Sequence, residues 1–363
     1  MTKVAGAMLL GVLLLLTACE KESAPEHHRK TIPEISAPAG VEVDSAKLSM
    51  FAALPAAFES KDNPSTDDKV ALGQLLFYDG RLSKTGSVSC NGCHTLDKFG
   101  TDGNDFSTGA TDKKGQRNCP TVLNAAGQFV EFWDGRAETV EAVVKTHLLS
   151  PTEMAMSDET HVVAALKATY AAAFKKAFPD EEDPVTAANV GKAIGTFERK
   201  LVTPSKWDAF LKGDKTALTD DEKKGFLKFV DVGCPTCHVG PLVGGTMFQK
   251  LGKEKPWPNV RDKGRSEVTK LPSDDMMFKV AQLRNIEHTG PYFHDASGKT
   301  LEEAVKTMAS HQLNKDLSDD DAKSIALWLK TLSGTLDPNL QRPPSLPASS
   351  GNVPKGGAAP KTK

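Results

Sequence analysis

The sequence predicts a mostly α-helical protein, and three observations support that prediction. Apolar residues recur four positions apart over long stretches, as at Val162, Leu166 and Tyr170, a spacing that places side chains on one face of a helix. Stretches that alternate apolar and polar residues, as a half-buried strand requires, are scarce. Helix-start signals are also present, because Thr219 is followed three residues later by Glu222 in the capping-box pattern.

The predicted helices follow one another along the chain, with loops between them. Residues 95–120 and 239–300 are rich in Gly, Asp and Pro and are expected to be mainly loops. After Asp337 the apolar periodicity vanishes, so that residues 337–363 are predicted to be disordered. The predicted helices are residues 162–178, residues 190–201, one opened by Thr219 that carries Phe226 and Phe229, and one opened by Ser318 that carries Ile325, Leu329 and Leu332 and ends before Gly334.

The N-terminus has the features of an export signal. An apolar run from Val4 to Leu16 follows Lys3; it is too short to span a membrane but has the length of the central part of a signal peptide. The run ends in the sequence LTAC, which resembles a bacterial lipobox and predicts that Cys19 is lipidated; an ordinary secretory signal is the alternative. We therefore expect residues 1–19 to be a lipoprotein-type signal peptide.

A five-residue pattern, Cys-x-x-Cys-His, occurs twice, at residues 90–94 and 234–238. The pattern is typical of c-type haem attachment, in which two thiols bind the haem as thioethers and the histidine ligates the iron. Zinc is the alternative, but a zinc site needs four soft ligands in one cluster, and the motifs are about 140 residues apart. The sequence therefore predicts two covalently bound haems, one held by Cys90, Cys93 and His94 and one by Cys234, Cys237 and His238.

Composition and length restrict the remaining possibilities. A formal net charge of −2 argues against nucleic acid as a partner, and 39% hydrophobic with 25% charged residues is typical of a globular protein. Residues 20–45, rich in Glu, Lys, Pro and Ser, are expected to be a flexible tether. The rest of the chain suits two domains with one haem motif each, which we place at residues 46–205 and 206–336.

One cysteine remains after these assignments. Of the six cysteines, four belong to the haem motifs and Cys19 is the predicted lipid site, which leaves Cys119. An unpaired thiol in an exported protein is either reactive or buried. Because Cys119 begins the mainly apolar run CPTVL, we expect it to be buried and inert.

Besides the two haem motifs, eleven short segments between Ala71 and Leu332 match a known family in their sequence and in their order along the chain. On the basis of these segments the chain resembles the bacterial dihaem cytochrome c peroxidases. Their superfamily also includes the dihaem enzyme that matures methylamine dehydrogenase. The matching segments are residues 72–77, 81–83, 117–118, 120–124, 132–137, 151–154, 196–199, 278–280, 283–285, 291–295 and 301–305. The resemblance implies two cytochrome c-like haem domains. In such a pair the first haem reduces hydrogen peroxide and the second passes electrons to it.

The resemblance also assigns roles to individual residues. Met308 matches the axial methionine that completes the second haem with His238, and a thioether ligand suits an electron-receiving haem. Glu153 matches the distal glutamate that moves protons during cleavage of the peroxide bond; an ordinary surface carboxylate is the alternative. Trp133 matches the tryptophan that lies between the haems. The rival ligands to Met308 are Met276, Met277 and His311.

A calcium site is implied by the same resemblance. Its residues are Asn118, Thr289 and Pro291, which would contribute oxygen atoms, and oxygen ligands suit a hard cation.

Three positions depart from the family pattern. Many members cap the resting first haem with a histidine, but that position is Ala110 here, and no histidine occurs between His94 and His147. Alanine cannot ligate iron, so we expect a first haem without a protein sixth ligand. Val143 replaces the distal glutamine and His147 replaces a proline. His147 is therefore a candidate distal acid-base group or a replacement ligand, with a partly buried structural histidine as the alternative.

Three functions stay open on these grounds. The favoured one is a periplasmic, lipid-anchored peroxidase that takes electrons from a small redox protein, either a cytochrome c or a cupredoxin. The second is an oxidase of protein side chains that acts through high-valent iron, although that relative has a tyrosine at the position of Met308. The third is a non-catalytic dihaem electron carrier. A homodimer, as in relatives, stays open as well.

Overall fold

The computed structural model describes residues 40–348, and these residues are mostly helical with very little sheet, as the sequence predicts. The signal peptide, Cys19, most of the tether and residues 349–363 lie outside the described residues. The helices are α1 (Ser45–Leu48), α2 (Asp67–Tyr78), α3 (Cys90–Cys93), α4 (Val140–Leu149), α5 (Glu159–Ala177), α6 (Ala187–Glu198), α7 (Lys206–Leu211), α8 (Asp220–Val232), α9 (Ser266–Thr269), α10 (Leu301–Leu313), α11 (Asp319–Lys330) and α12 (Pro338–Gln341).

The predicted helix starts are confirmed by their hydrogen bonds. The Thr219 side chain accepts a hydrogen bond from the backbone N–H of Glu222, whose carboxylate accepts one from the backbone N–H of Thr219, so the capping box is complete. Ser318 caps α11 through the backbone N–H of Asp321. The helices predicted at residues 162–178 and 190–201 correspond to α5 and α6.

The two strands form one small antiparallel pair inside the long loop region. Strand β1 (Phe248–Lys250) pairs with β2 (Met277–Lys279), so that Gln249 lies opposite Phe278. The residues between the strands belong to the stretch 239–300 that is expected to be mainly loops, and they include the short helix α9. This pair contributes Gln249 and Phe278 to the wall of a cavity described below.

Apolar side chains collect in two main clusters, which we name the first core and the second core. The first core joins α2, α5 and α6, and Cys90 packs against it. The second core joins α8, α10 and α11, and Cys234 packs against it. Each Cys-x-x-Cys-His motif therefore lies beside a hydrophobic core of its own, and the domain boundaries themselves stay a prediction.

Two glycines permit the close helix contacts in these cores. A Cβ atom on Gly73 in α2 would lie 2.0 Å from the carbonyl oxygen of Ala193 in α6. A Cβ atom on Gly225 in α8 would lie 2.1 Å from the carbonyl oxygen of Ser324 in α11. Any side chain at either position would push the two helices apart.

The prediction of disorder from Asp337 is wrong for residues 338–348. This segment contains α12, whose Leu340 packs against the first core. The Gln74 side chain donates hydrogen bonds to the carbonyls of Asn339 (2.8 Å) and Leu340 (3.1 Å). Composition could not indicate these contacts, because the partners are more than 260 residues away along the chain.

Within residues 40–348, no helix has both the length and the apolar character that crossing a membrane requires.

Candidate functional site

The second haem motif begins where α8 ends. Gly233 adopts a left-handed conformation with φ of 99° and turns the chain out of the helix, which places residues 234–238 in the following tight turn. The Nδ1 atom of His238 lies 3.2 Å from the carbonyl oxygen of Val243. Burial lowers the pKa of His238, which favours the neutral imidazole. A proton on Nδ1 leaves Nε2 as the free ligand atom.

The second motif opens into a cavity of about 240 Å³. Cys234, Cys237, His238 and Met308 all line it, and most of the other lining side chains near them are apolar. Their donor set, two thiols, an imidazole and a thioether, fits a covalently attached haem with His–Met ligation. The apolar lining residues include Phe229, Leu283, Ile286, Leu301, Ile325 and Leu329.

The rival sixth ligands of the second haem lie elsewhere. Met276 packs with Trp257 and Phe278 in a small cluster that Met308 also contacts, but Met276 is not among the residues that line the cavity. The Nδ1 atom of His311 lies 2.9 Å from the carbonyl oxygen of Lys255, and this histidine is not among the residues that line the cavity. Met277 is absent from the lining as well. Among the four candidates, the cavity wall therefore favours Met308.

The first haem motif occupies a single helical turn, α3, with His94 at its C-terminal end. The Nδ1 atom of His94 lies 3.3 Å from the carbonyl oxygen of Gly100, the same arrangement that His238 has in the second motif. Desolvation raises the pKa of the Cys93 thiol to about 12, and burial raises that of Cys90 as well. The two cysteines and the histidine have the sequence spacing that a thioether-linked haem requires.

His147 and Glu153 form a pair beside the first motif. The imidazole centroids of His94 and His147 are 6.0 Å apart. The Nδ1 atom of His147 lies 2.5 Å from a carboxylate oxygen of Glu153. Burial alone would raise the pKa of Glu153, but its ion pair and hydrogen bond with His147 outweigh burial, so that the pKa lies below its ordinary value. Glu153 is therefore an ionised carboxylate at neutral pH.

Two further residues lie beside the His147–Glu153 pair, and the sequence analysis assigned a role to neither of them. The Phe132 ring lies 5.1 Å from the imidazole of His147. The guanidinium of Arg136 lies over the Phe132 ring at 3.5 Å and also lowers the pKa of Glu153. Both belong to the FWDGRA segment, so the resemblance had marked the segment without assigning roles to these residues.

Ala110 occupies the loop that carries the capping histidine in many relatives. Its backbone N–H donates a hydrogen bond to the carbonyl of Glu153 at 2.7 Å, so the loop packs directly against the glutamate turn. A Cβ atom on the preceding Gly109 would lie 2.1 Å from the carbonyl oxygen of Thr152. The loop is thus close to the first site, and Ala110 itself has no side chain that could ligate iron. Val143 lies one helical turn before His147 in α4.

Trp133 lies on the wall of the second haem cavity. Its indole N–H donates a hydrogen bond to the carbonyl of Asn118 at 2.9 Å, and its own carbonyl accepts one from the backbone N–H of Lys279 at 2.8 Å. These two hydrogen bonds hold Trp133 between the backbone of Asn118 and strand β2, at the wall of the second cavity.

The residues of the predicted calcium site lie on one cavity wall. Asn118, Thr289 and Pro291 all line the cavity of the second motif. The Asn118 amide donates to the carbonyl of Asn104 at 3.0 Å, which leaves its side-chain oxygen as the atom available to a cation. Residues 40–348 contain no cluster of three or more His, Cys, Asp or Glu side chains suited to a metal ion. The calcium site relies on other oxygen atoms and stays a prediction.

Together these features define a mostly α-helical protein with two c-type haem attachment motifs. Residues 67–216 match the family model for di-haem cytochrome c peroxidase. Cytochrome c551 peroxidase of Nitrosomonas europaea is 43% identical over 295 residues, which cover 80% of this chain and 87% of that protein. The enzyme of the same name from Pseudomonas aeruginosa is 39% identical over 303 residues, which cover 82% and 87%.

A solved structure agrees with these relatives. The crystal structure of a MauG-like protein associated with microbial copper homeostasis has a TM-score of 0.72 and 27% identity, covering 80% of this chain and 97% of that one. The chain belongs to the dihaem cytochrome c peroxidase family. The predicted family is thereby confirmed, and membership implies two haems and an oxidoreductase that acts on peroxide.

Proposed function

We propose that the protein is a periplasmic dihaem peroxidase that reduces one hydrogen peroxide to two waters with two protons and two electrons from a small redox protein. The observation that carries this proposal is the His147–Glu153 pair beside His94, because reduction of peroxide needs a group that moves protons at the reacting oxygens. The first haem, held by Cys90, Cys93 and His94, would supply the redox-active iron at which peroxide reacts.

The protein's own residues then account for the proton movements. As an ionised carboxylate, Glu153 accepts the proton of the incoming peroxide. The bound proton is returned to the departing oxygen, which leaves as the first water; two electrons from the donor and two further protons from solvent convert the remaining oxygen to the second water. His147 holds the carboxylate in place and lowers its pKa, while Phe132 and the Arg136 side chain above it cover the pair. Peroxide therefore meets a base whose orientation is fixed before it binds.

The second site would receive electrons and pass them on. His238 and Met308 would ligate the iron of the second haem in the cavity that both residues line. Trp133 lines the same cavity, and we assign it to the route between the haems. Asn118, Thr289 and Pro291 would hold a calcium ion close to that route.

The second candidate function is oxidation of protein side chains. It is supported by the similarity of the chain to a MauG-like protein of known structure. Met308 argues for the peroxidase, because the resemblance gives the protein-oxidising relative a tyrosine at this position. A non-catalytic electron carrier would instead need an occupied sixth position at the first haem, for which His147 is the nearest histidine.

Turnover measurements on the full chain, produced in a strain that matures c-type cytochromes, test the proposal. Mass measurement under denaturing conditions should show two covalently added haems. The preparation should then oxidise a reduced small cytochrome c or a reduced cupredoxin in step with peroxide consumption. Two bound haems without peroxide-dependent oxidation of any such donor would contradict the peroxidase assignment and favour the electron carrier.

Export and anchoring form the last part of the proposal. The signal peptide and Cys19 would attach the protein to a membrane facing the periplasm, with residues 20–45 as the tether. Mass analysis of the mature N-terminus would test this part, since an unlipidated residue other than Cys19 at the terminus contradicts it.

A further inference from the structure

Among the described residues that line the cavity of the second motif, only Lys279 in β2 carries a charged side chain. The lining histidines His238 and His294 are kept neutral by burial, which lowers the pKa of each. Lys279 is 6% exposed, and a lysine is rarely buried so fully unless an anion accompanies it. A haem carries propionate carboxylates at one edge of its ring, so a haem in this cavity would bring negative charge to a wall with one cation.

The carboxylate that accompanies Lys279 in the structure is that of Glu131, and the contact between them is loose. The Lys279 Nζ atom lies 3.6 Å from a Glu131 carboxylate oxygen, whereas a charge-assisted hydrogen bond measures about 2.8 Å. Burial raises the pKa of Glu131 and lowers that of Lys279, although each group favours the charged form of the other. The pair therefore does not fully compensate for the burial of its charges.

The Lys279 ammonium has donor hydrogens to spare. Of the three that a lysine carries, one is donated to the carbonyl of Val130 at 3.0 Å, and this ammonium makes no other hydrogen bond within residues 40–348. The Glu131 carboxylate, in contrast, accepts a hydrogen bond from the Gln128 amide at 3.1 Å. Because Gln128 and Lys279 both line the cavity, the pair lies at the cavity wall.

Three further charged groups act on the pair, and each of them already has a partner. Asp134 favours the charged form of Lys279, and two arginines bind Asp134. Arg199 favours and Glu141 opposes ionisation of Glu131. These two residues bind each other through hydrogen bonds of 2.8 and 2.9 Å. Lys279 is therefore the group at this wall that is left with the capacity to bind another anion.

We propose that Lys279 binds a propionate of the second haem, with Glu131 as a weaker partner of the same ammonium. This inference rests on the proposed placement of the second haem in the cavity of residues 234–238. An ammonium beside a propionate keeps that carboxylate ionised throughout the neutral pH range. Lys279 would therefore keep the midpoint potential of the second haem from changing as a propionate gains or loses its proton.

Two variants of the full-length holoprotein, Glu131→Gln and Glu131→Gln/Lys279→Gln, test for the propionate. The midpoint potential of each haem is titrated optically at a series of pH values. In Glu131→Gln the lysine still has the propionate, so the midpoint of the second haem should vary with pH no more than in the wild type. In the double variant the propionate lacks its cation and titrates in the neutral range. Its midpoint should fall as pH rises, because an ionised carboxylate favours the oxidised iron.

A purely structural ion pair predicts the opposite order of the two variants. Without Glu131, a lysine that has no propionate partner would be a buried cation without an anion, and it would lose its proton as pH rises. The midpoint would then depend on pH in Glu131→Gln and would be constant in the double variant, in which neither side chain titrates. Equal pH dependence in the two variants, or a steeper dependence in Glu131→Gln, would overturn the proposal.

Lys250→Gln is the matched control, because Lys250 is an exposed lysine in β1, the strand that pairs with β2. It should introduce no pH dependence, and the first haem should show the same midpoint at each pH in all variants.

A second measurement applies if the double variant loses haem. Infrared difference spectra of Glu131→Gln with isotope-labelled haem propionates are recorded at potentials where only the second haem changes its oxidation state. Label-sensitive bands of an ionised carboxylate are expected. Label-sensitive bands from protonated carboxyl groups alone would contradict the assignment of Lys279.

Peroxide turnover of the wild type, measured in the same preparations, keeps this inference separate from the proposed function. The expected order of pH dependence with an inactive wild type supports the role of Lys279 and rejects the peroxidase. An active wild type with the reversed order rejects the role of Lys279 and leaves the peroxidase in place.

Discussion

Replacing Glu153 with glutamine tests the proton-transfer role of the His147–Glu153 pair. Glutamine preserves the size of the side chain and can still accept a hydrogen bond from His147, which lies 2.5 Å away in the native pair. It cannot carry the proton of peroxide. General acid-base groups are worth roughly 10²- to 10⁴-fold in rate, so kcat/KM for peroxide should fall by that factor. The corresponding loss of transition-state stabilisation is about 3–5 kcal/mol.

The partner substitution sharpens the test. His147→Gln should reduce turnover less, because Glu153 keeps its carboxylate. The double variant should be barely slower than Glu153→Gln alone, since two groups in contact that act as one unit are not additive. A matched control is Glu159→Gln at the start of α5, where the exposed carboxylate pairs with Lys145 at 2.6 Å and touches neither motif. It should leave turnover unchanged.

The pH dependence follows from the direction of the Glu153 shift. Because the pKa of Glu153 lies below its ordinary value, the carboxylate stays ionised as pH falls and loses its charge only when pH passes that lowered pKa. The acid limb of kcat/KM should therefore lie below the usual range of a glutamate. In His147→Gln the limb should move to higher pH, since the group that lowers the pKa is gone. Glu153→Gln with near wild-type turnover and both haems bound would refute the assignment.

Three further predictions concern the haem ligands and the helix packing. Because Ala110 cannot ligate the iron of the first haem, the oxidised protein should show a high-spin haem by electron paramagnetic resonance and should react with peroxide without prior reduction. In Ala110→His, the reaction with peroxide should require prior reduction of the protein. Met308→Ala should change the low-spin signal of the second haem alone, and a change in the first haem's signal would contradict the ligand assignment. Gly225→Ala should lower the free energy of unfolding by about 1–3 kcal/mol, because the added Cβ meets the carbonyl of Ser324 at 2.1 Å; thermal unfolding measures it.

The helices could be predicted because their signals are local. Apolar spacing along α5 and the capping box of α8 lie within a few residues of each other, and tertiary contacts reinforce them. The ordered segment from Asp337 to Ala348 could not be predicted in this way. It is held against α2, where the Tyr78 hydroxyl donates a hydrogen bond to the carbonyl of Gln341 at 2.6 Å. Because Tyr78 is far away along the chain, the composition of the segment itself could not indicate this contact.

The same distinction between local signals and long-range contacts explains which residues of the candidate site could be predicted from the sequence. Haem attachment requires two thiols and a histidine at fixed spacing, so residues 90–94 and 234–238 are visible in the sequence. The contact of Cys119 with His94 spans 25 residues and depends on how the intervening loop folds. Cys119 was expected to be buried and inert; it is only partly buried, and its neighbour is His94, the predicted haem ligand.

One short segment serves both haem sites, and its backbone shows how. Phe132 contacts His147 beside the first motif, and both Phe132 and Trp133, the next residue, line the cavity of the second. Phe132 adopts the left-handed conformation with φ of 64°, which costs energy for a bulky residue and is maintained by its surroundings. Asp134 is part of those surroundings, because Arg117 binds it at 2.5 Å and Arg136 binds it at 3.0 Å.

Arg117 also binds an acidic residue that is far away along the chain. Its guanidinium also makes two hydrogen bonds to Asp262, at 2.6 and 2.7 Å, in the loop between the two strands. A movement of that loop would therefore act on Asp134 and, through it, on the neighbouring residues Phe132 and Trp133. Because charge-assisted bonds of a largely buried guanidinium are strong, Arg117 holds Asp134 and the loop that carries Asp262 together, and so restrains the backbone beside Phe132 and Trp133.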